Sequence, residues 1–374
     1  MQLSDLRPLY ARPGPWASVY LDASRDTEDA AAAVDLRWRA LREELEHQRT
    51  EPDTVAALDD VVRRHEPGVG DYGLAAFATG GRVVHTEYLS APPRRDLAAH
   101  GPIPHAMPLV AQRGEQIPWV RVLASRTGAD LDSVCVGEVP RKAQVEGGSR
   151  YPITRVRAGG WAQARFQREA MTSWKRNADD SAAATAELAD RAGAEVVVVA
   201  GDPQARSMLA AQLPERWQDR VVQIDAGSRA WGAKTEALDD VTVQAIAEVA
   251  NQHVETSLDR FGAQRDVGAG LPAVVAALQR NQVDTMLIVD DPSSVERLWI
   301  GPDPTEIATD PGQLTELAVT RPQHVRADAA LVRALVGTGA EITVLGRDEA
   351  PDLTDGVGAV LRYVDQGTPG GTHG

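Results

Sequence analysis

A single cysteine, Cys135, is all that the sequence offers, which excludes an intrachain disulfide and a cysteine-based metal cage. Its setting among strand formers fits a small buried apolar residue on a strand. No apolar run approaches the roughly 18 residues of a membrane span. The opening stretch MQLSDLRPLYARPGPW has no apolar segment of signal-peptide type. The expected address is the cytoplasm, with no membrane partner. The hydrolase and metal signatures G-x-S-x-G, H-E-x-x-H and C-x-x-C are all missing. The nearest approach to a phosphate-binding loop is Gly227-Ser-Arg-Ala-Trp-Gly232-Ala-Lys234-Thr235. There the Lys-Thr pair comes one residue late, and Trp231 stands where backbone would wrap a phosphate. His100 and His105 lack acidic neighbours on one face, which favours a surface role over metal ligation. Asp290-Asp291 ends an apolar run, where carboxylates commonly meet solvent. No cofactor and no metal are expected.

What remains is ordinary globular composition, 43% apolar and 25% charged, in 374 residues, enough for two or three cores. The charge is uneven. The chain is net −15, which taken alone argues against nucleic acid as a partner, and DNA is not expected. Between residues 141 and 176, however, nine Lys and Arg face only Glu146 and Glu169. That stretch is net +7, and the rest of the chain carries −22. A basic island in an acidic body can bind a polyanion locally, or it can simply be a solvated loop and helix.

Three segments follow from periodicity and turn signals. Residues 1–116 read as an α/β domain. A strand lies at 16–24, helices run from Thr27 to Gln48 and over 52–65, and 73–90 is a hairpin through Gly80-Gly81. A proline-rich irregular connector comes next. Residues 117–235 open with a hairpin turning at Thr127–Asp130, then pass through glycine-bounded basic sequence into a helix from about Ala162 to Arg191. A buried strand over 194–202, a helix over 207–217 and a strand over 220–226 complete an α/β unit with a parallel pair. Residues 236–374 read as a compact α/β/α layer: a long helix over 238–261, a helix leading into strand 285–289, a helix and strand around Gly339, and a closing strand in GVGAVLRYV. The tail GTPGGTHG reads as disordered.

The stretches GAGLPAVVAALQRNQVDTMLIVDD and DGVGAVLRYV resemble the C-terminal domain of archaeo-eukaryotic peptide release factors and Pelota. VRVLASRTGADL resembles the opening hairpin of the same family's middle domain. The order and spacing cover about two thirds of the chain, and the N-terminal third is most similar to the bacterial branch. The resemblance implies a three-domain α/β release-factor/Pelota-like fold, with a mixed-sheet middle domain and an α/β/α C-terminal domain. It implies the ribosome as partner. The N-terminal domain would face the decoding centre, and the middle-domain loop would face the peptidyl transferase centre. The C-terminal domain would meet a translational GTPase, which is elongation factor Tu in hibernation-type members. The implied rRNA contacts are Arg155, Arg157, Gly159, Gly160, Trp161, Gln163, Arg165, Gln167, Arg168, Lys175 and Arg176. Glycines allow close backbone approach, and arginines pair with phosphates and stack on bases. Trp161 either stacks on an exposed base or pins the loop to its own domain.

Release factors hydrolyse the peptidyl-tRNA ester with a Gly-Gly-Gln loop. Here the order is Gly159-Gly160-Trp161-Ala162-Gln163. The glutamine is displaced by two residues, and displacement by about 1 Å can cost about a hundredfold in rate. Three readings stand. One is a hibernation or rescue factor occupying the ribosomal A site without catalysis. The second is a peptidyl-tRNA hydrolase using Gln163. The third is a non-ribosomal stress-response scaffold that binds proteins through its acidic surface.

Overall fold

The computed structural model describes residues 1–24, 29–64, 71–115, 117–135, 141–146, 160–225, 236–264, 268–349 and 353–365, with 141–143, 146, 160–173 and 236–237 as backbone alone. It divides into two compact units, one of residues 1–115 and 252–374, the other of 116–251.

In the first unit β1 (Trp16–Asp22), β2 (Gly73–Thr79), β3 (Arg82–Leu89) and β4 (Leu97–Gly101) form an antiparallel sheet in the order β3-β2-β1-β4. Strand β4 lies in the proline-rich stretch read above as irregular. Its own sequence, LAAHG, carries little strand signal, and pairing with β1 makes it a strand. Both faces of β1 are buried, so its apolar residues run almost continuously. Ala17, Val19 and Leu21 meet α2 (Ala30–His47) and α3 (Pro52–Arg64) through Val34, Trp38, Leu41, Leu58 and Val62. The Trp38 indole N–H donates to Asp59 Oδ1 at 2.7 Å, tying the two helices. Asp59→Ala leaves that indole, only 4% exposed, without its acceptor. A loss of about 1–2 kcal/mol is expected, read as a lower melting temperature; an unchanged one would show that the bond contributes nothing.

The opposite face, with Trp16, Tyr20 and Phe77, belongs to a core shared with the end of the chain. Short α1 (Arg7–Tyr10) and α4 (Met107–Gly114) contribute Leu9, Met107, Leu109 and Val110 to it. From the C-terminal part come Val274 and Leu278 of α9 (Leu271–Gln279) and Leu331 and Leu335 of α11 (Ala327–Thr338). These helices lie on one face of a second sheet, in which β10 (Val283–Val289) runs parallel to β14 (Glu341–Leu345) and antiparallel to β15 (Val357–Leu361). The other face meets Val254, Leu258 and Phe261, from the last turns of α8 (Glu236–Gly262). This is the expected α/β/α layering. Gly339 caps α11 at φ +66°, a left-handed conformation suited to glycine. Between β10 and α11, β11 (Arg297–Ile300), β12 (Ile307–Ala308) and β13 (Gln323–Arg326) form a small third sheet, with α10 (Pro311–Glu316) beside it. The sequence reading assigned no element there. The Met1 ammonium donates to the Ile342 carbonyl oxygen at 2.9 Å, so the first residue is fastened to β14.

The second unit carries a five-stranded mixed sheet, β7-β6-β5-β8-β9. β5 (Trp119–Ser125), β6 (Gly128–Val134) and β7 (Arg141–Glu146) are antiparallel, whereas β8 (Val196–Gly201) and β9 (Val221–Gln223) run parallel to β5. The expected parallel pair is thus present. The β5–β6 turn is tighter than its sequence suggested, because Gly128-Ala129-Asp130 already pair with Ser125, Ala124 and Leu123. Strand β7, which the sequence reading left unassigned, occupies the first six residues of the basic stretch. One face of the sheet packs on α5 (Gly160–Ala192), α6 (Pro203–Gln212) and α7 (Glu215–Gln218). Proline at 214 divides the last two, so 207–217 is not one helix. The other face packs on the first half of α8 through Leu238, Val241, Ala245 and Val249. Strand β8 is buried throughout, as its VVVV run implied. Cys135 is buried, as expected, but lies one residue past the end of β6 and not on a strand. Among the described residues no helix is long and apolar enough to cross a membrane.

Candidate RNA interface

Helix α5 is the element on which the candidate residues converge. It has 33 residues, about 50 Å at 1.5 Å rise per residue. Its sheet-facing stripe is built from small residues: Asn177, Ala178, Ser181, Ala182, Thr185, Ala186 and Ala189 are all buried. Side chains this short let the helix axis lie close to the sheet. Among the described side chains of α5, this stripe starts at Asn177.

Where that stripe begins, the helix meets the β5–β6 turn. The Asn177 amide, 4% exposed, donates to the Arg126 carbonyl oxygen at 2.9 Å. The Arg126 guanidinium lies over the Trp174 ring, 4.5 Å from its centroid, within the range of a favourable cation–π contact. On its Nε side Arg126 faces Asp202 Oδ2 at 3.4 Å. Asp202 is itself fixed as the N-cap of α6, where its Oδ1 accepts from the Gln204 and Ala205 amides at 3.1 Å. Gly201 allows this approach. At φ +108°, a Cβ there would lie 2.1 Å from the Ala124 carbonyl oxygen, so only glycine brings Asp202 so close to β5.

Of the residues proposed from sequence, Lys175 and Arg176 are exposed on α5 immediately after Trp174. Gly160, Trp161, Gln163, Arg165, Gln167 and Arg168 lie in the first turns of the same helix. The helix begins at Gly160, two residues ahead of the expected start, so Gln163 has helical backbone. Arg155, Arg157 and Gly159 lie outside the described residues, as do Gly227–Thr235 and the tail GTPGGTHG. Sequence reading missed Arg126. Its signal was available, an arginine opening the turn before Thr127-Gly128, but it precedes the 141–176 charge cluster and its neighbour Trp174 is 48 residues away.

Two other expectations are corrected. His105 is largely buried: its ring lies 3.9 Å from Asp328, and burial holds its pKa below the usual histidine value despite that carboxylate. Its buried place follows from the chain around it, since Tyr20 O–H donates to the His105 carbonyl oxygen at 2.8 Å. Asp290 is also withdrawn from solvent. Burial raises its pKa, and neighbouring Glu115, Asp328 and Asp291 add to the effect, while Arg94 at 3.0 Å opposes it. It lines an open cleft of about 830 Å³ together with Asp291, Asp328 and Leu331. Among the described residues no group of three or more His, Cys, Asp and Glu is placed to hold a metal ion.

Residues 118–266 match the family model described as bacterial archaeo-eukaryotic release factor family 2. The chain is 31% identical over 369 residues to an uncharacterized protein of Mycobacterium tuberculosis strain CDC 1551 / Oshkosh, with 97% of each chain covered. The same identity and coverage hold for an uncharacterized protein of strain ATCC 25618 / H37Rv. Among solved structures, the archaeal translation termination factor aRF1 is similar at 15% identity, covering 96% of this chain and 95% of that one, with a TM-score of 0.25. Archaeoglobus fulgidus Pelota gives 15% identity, 79% and 80% coverage, and a TM-score of 0.31. A model of ribosome-bound archaeal Pelota and ABCE1 gives 16%, 97% and 95%, and 0.38. With TM-scores under 0.5, these likenesses establish neither a domain arrangement nor a function.

Proposed function

The chain belongs to the bacterial archaeo-eukaryotic release factor family, and from that premise we propose that it is a ribosome-associated translation factor. The observation that carries the reading is the placement of its positive charge. A net +7 stretch in a −15 chain runs through the first half of α5, which carries four of its nine cations, Arg165, Arg168, Lys175 and Arg176. Lys and Arg gathered in one stretch of the chain suit rRNA phosphates, which an acidic surface elsewhere would repel.

The finer reading is a hibernation or rescue factor, similar to the ribosome hibernation factor Balon. It occupies the A site, with residues 1–116 toward the decoding centre and the loop of 117–235 toward the peptidyl transferase centre. Residues 236–374 meet elongation factor Tu. Occupation without hydrolysis is favoured by the local order of the chain. Trp161 stands where the release-factor glutamine would be, and Gln163 follows within the helical turn that starts at Gly160.

Sedimentation of the full chain with stationary-phase ribosomes tests the reading. Comigration at low salt is expected, fading as salt rises. Recovery in the free fraction at low salt would overturn it, and a stable protein partner without rRNA would favour the scaffold reading. Release of labelled peptide from stalled ribosomes tests the hydrolase reading through Gln163→Ala: a rate above background in the parent protein, lost in the variant, would replace occupation by catalysis.

A further inference from the structure

Arg126 is 41% exposed, yet it is held from three directions. The Trp174 ring lies under its guanidinium plane, Asp202 Oδ2 lies at its Nε side, and its own backbone carbonyl is bound by Asn177. Nε makes no hydrogen bond of its own, so the stacked face and the 3.4 Å ion pair with Asp202 orient the guanidinium, whose Nη donors can pair bidentately with a phosphate. The ordering cost of a long side chain is thereby met before any ligand arrives. Lys175 and Arg176, both exposed, follow Trp174 in the chain, about 100° and 200° further round the helix. The charge then reverses at Asp179 and Asp180, also exposed, which marks where a basic patch ends.

We infer that Arg126, stacked on Trp174, forms with Lys175 and Arg176 a preorganised docking site for the sugar–phosphate backbone of ribosomal RNA. The site lies on the described body of the second unit, at the root of the stretch whose loop is proposed to reach the peptidyl transferase centre. It rests on the ribosome-associated reading and adds to it a contact from a different element, the β5–β6 turn. Recognition is of phosphate and not of sequence, because the side chains supply charge and a fork of donors without a base-edge pattern.

The test is a salt titration of full-chain binding to purified large ribosomal subunits, with the melting temperature measured for each variant. Arg126→Ala is expected to bind several-fold more weakly, with the slope of log K against log salt reduced by about 0.7–0.9. Arg126→Lys keeps the charge and the slope but loses affinity, because an ammonium neither stacks nor pairs bidentately. Lys175→Ala with Arg176→Ala, both exposed and outside the buried stripe, is expected to lower the slope by about twice the single-residue amount. Wild-type affinity and slope in Arg126→Ala and in the double variant, in a preparation where the parent chain binds, would overturn the site and leave the ribosome-associated reading intact. A parent chain that does not bind at low salt removes both. If Arg126→Ala melts well below the parent chain, the double variant and Arg126→Lys decide the matter by the same slopes.

Discussion

Replacing Arg157, Arg165 and Arg168 together by Ala is expected to weaken ribosome binding by about a hundredfold at moderate salt, taking about 1 kcal/mol per cation at a polyanionic surface. The salt dependence should flatten as well. Each lost phosphate contact removes about 0.7–0.9 from the slope of log K against log salt, so three contacts remove about 2–3. Arg165 and Arg168 stand in the first turns of α5, at least nine residues ahead of Asn177, Ser181 and Ala182. Melting near that of the parent chain is the outcome expected of charges that meet solvent in the free protein, which contribute less than about 1 kcal/mol each. A triple variant that binds like the parent at every salt concentration would remove these arginines from the interface. Trp161→Ala separates the two roles open to that side chain. Base stacking costs affinity with the slope intact, whereas packing on its own domain lowers the melting temperature of the free protein.

The second large effect concerns stability of the unit formed by residues 1–115 and 252–374. Arg113 on α4 is 8% exposed, and it donates from Nε to Glu87 Oε1 at 2.7 Å and from Nη2 to Asp5 Oδ2 at 2.6 Å. Glu87 on β3, 5% exposed, also meets His85 Nε2 at 3.0 Å. Arg113→Ala strips a buried carboxylate of its main partner and is expected to cost about 3–5 kcal/mol. Replacing both partners, Arg113→Met with Glu87→Leu, should recover most of that, because a well-packed apolar pair carries no desolvation penalty. The pH dependence follows from Glu87. Burial raises its pKa, but hydrogen bonds from His85 and Arg113 outweigh this and hold it below the usual glutamate value. A depressed folded-state pKa means that the contribution is present above the unfolded-state value and disappears as pH falls through the folded one. The parent chain should thus lose stability on acidification, and Glu87→Gln should lose less over the same range. Equal acid sensitivity in Glu87→Gln and parent would show that this group does not govern the response, and a double variant as unstable as Arg113→Ala would deny that the burial penalty is the cause.

Much of this molecule is legible in the sequence because its signals are local. The VVVV run of β8, the helical spacing of Val34, Trp38, Leu41 and Leu45, and the Gly80-Gly81 turn each bury or bend within a few residues. Those segments therefore reach the same structure whatever surrounds them. Charge patterning is equally local, so the basic island was visible before any fold was known. Strand β4 was not legible, since LAAHG becomes a strand only by pairing with β1. Nor was the small sheet β11–β13, whose short strands hold one another in place. Arg126 was hidden for the same reason as the pair Glu87 and Arg113. What gives each its character is a partner far along the chain, Trp174 for the one and a residue 26 positions distant for the other. The sequence by itself determined the element types, the family signature and where the positive charge lies. Only the tertiary structure decided that the first and last parts of the chain share one core, and that a guanidinium at a turn is held against α5, because both depend on contacts between residues that no local pattern links.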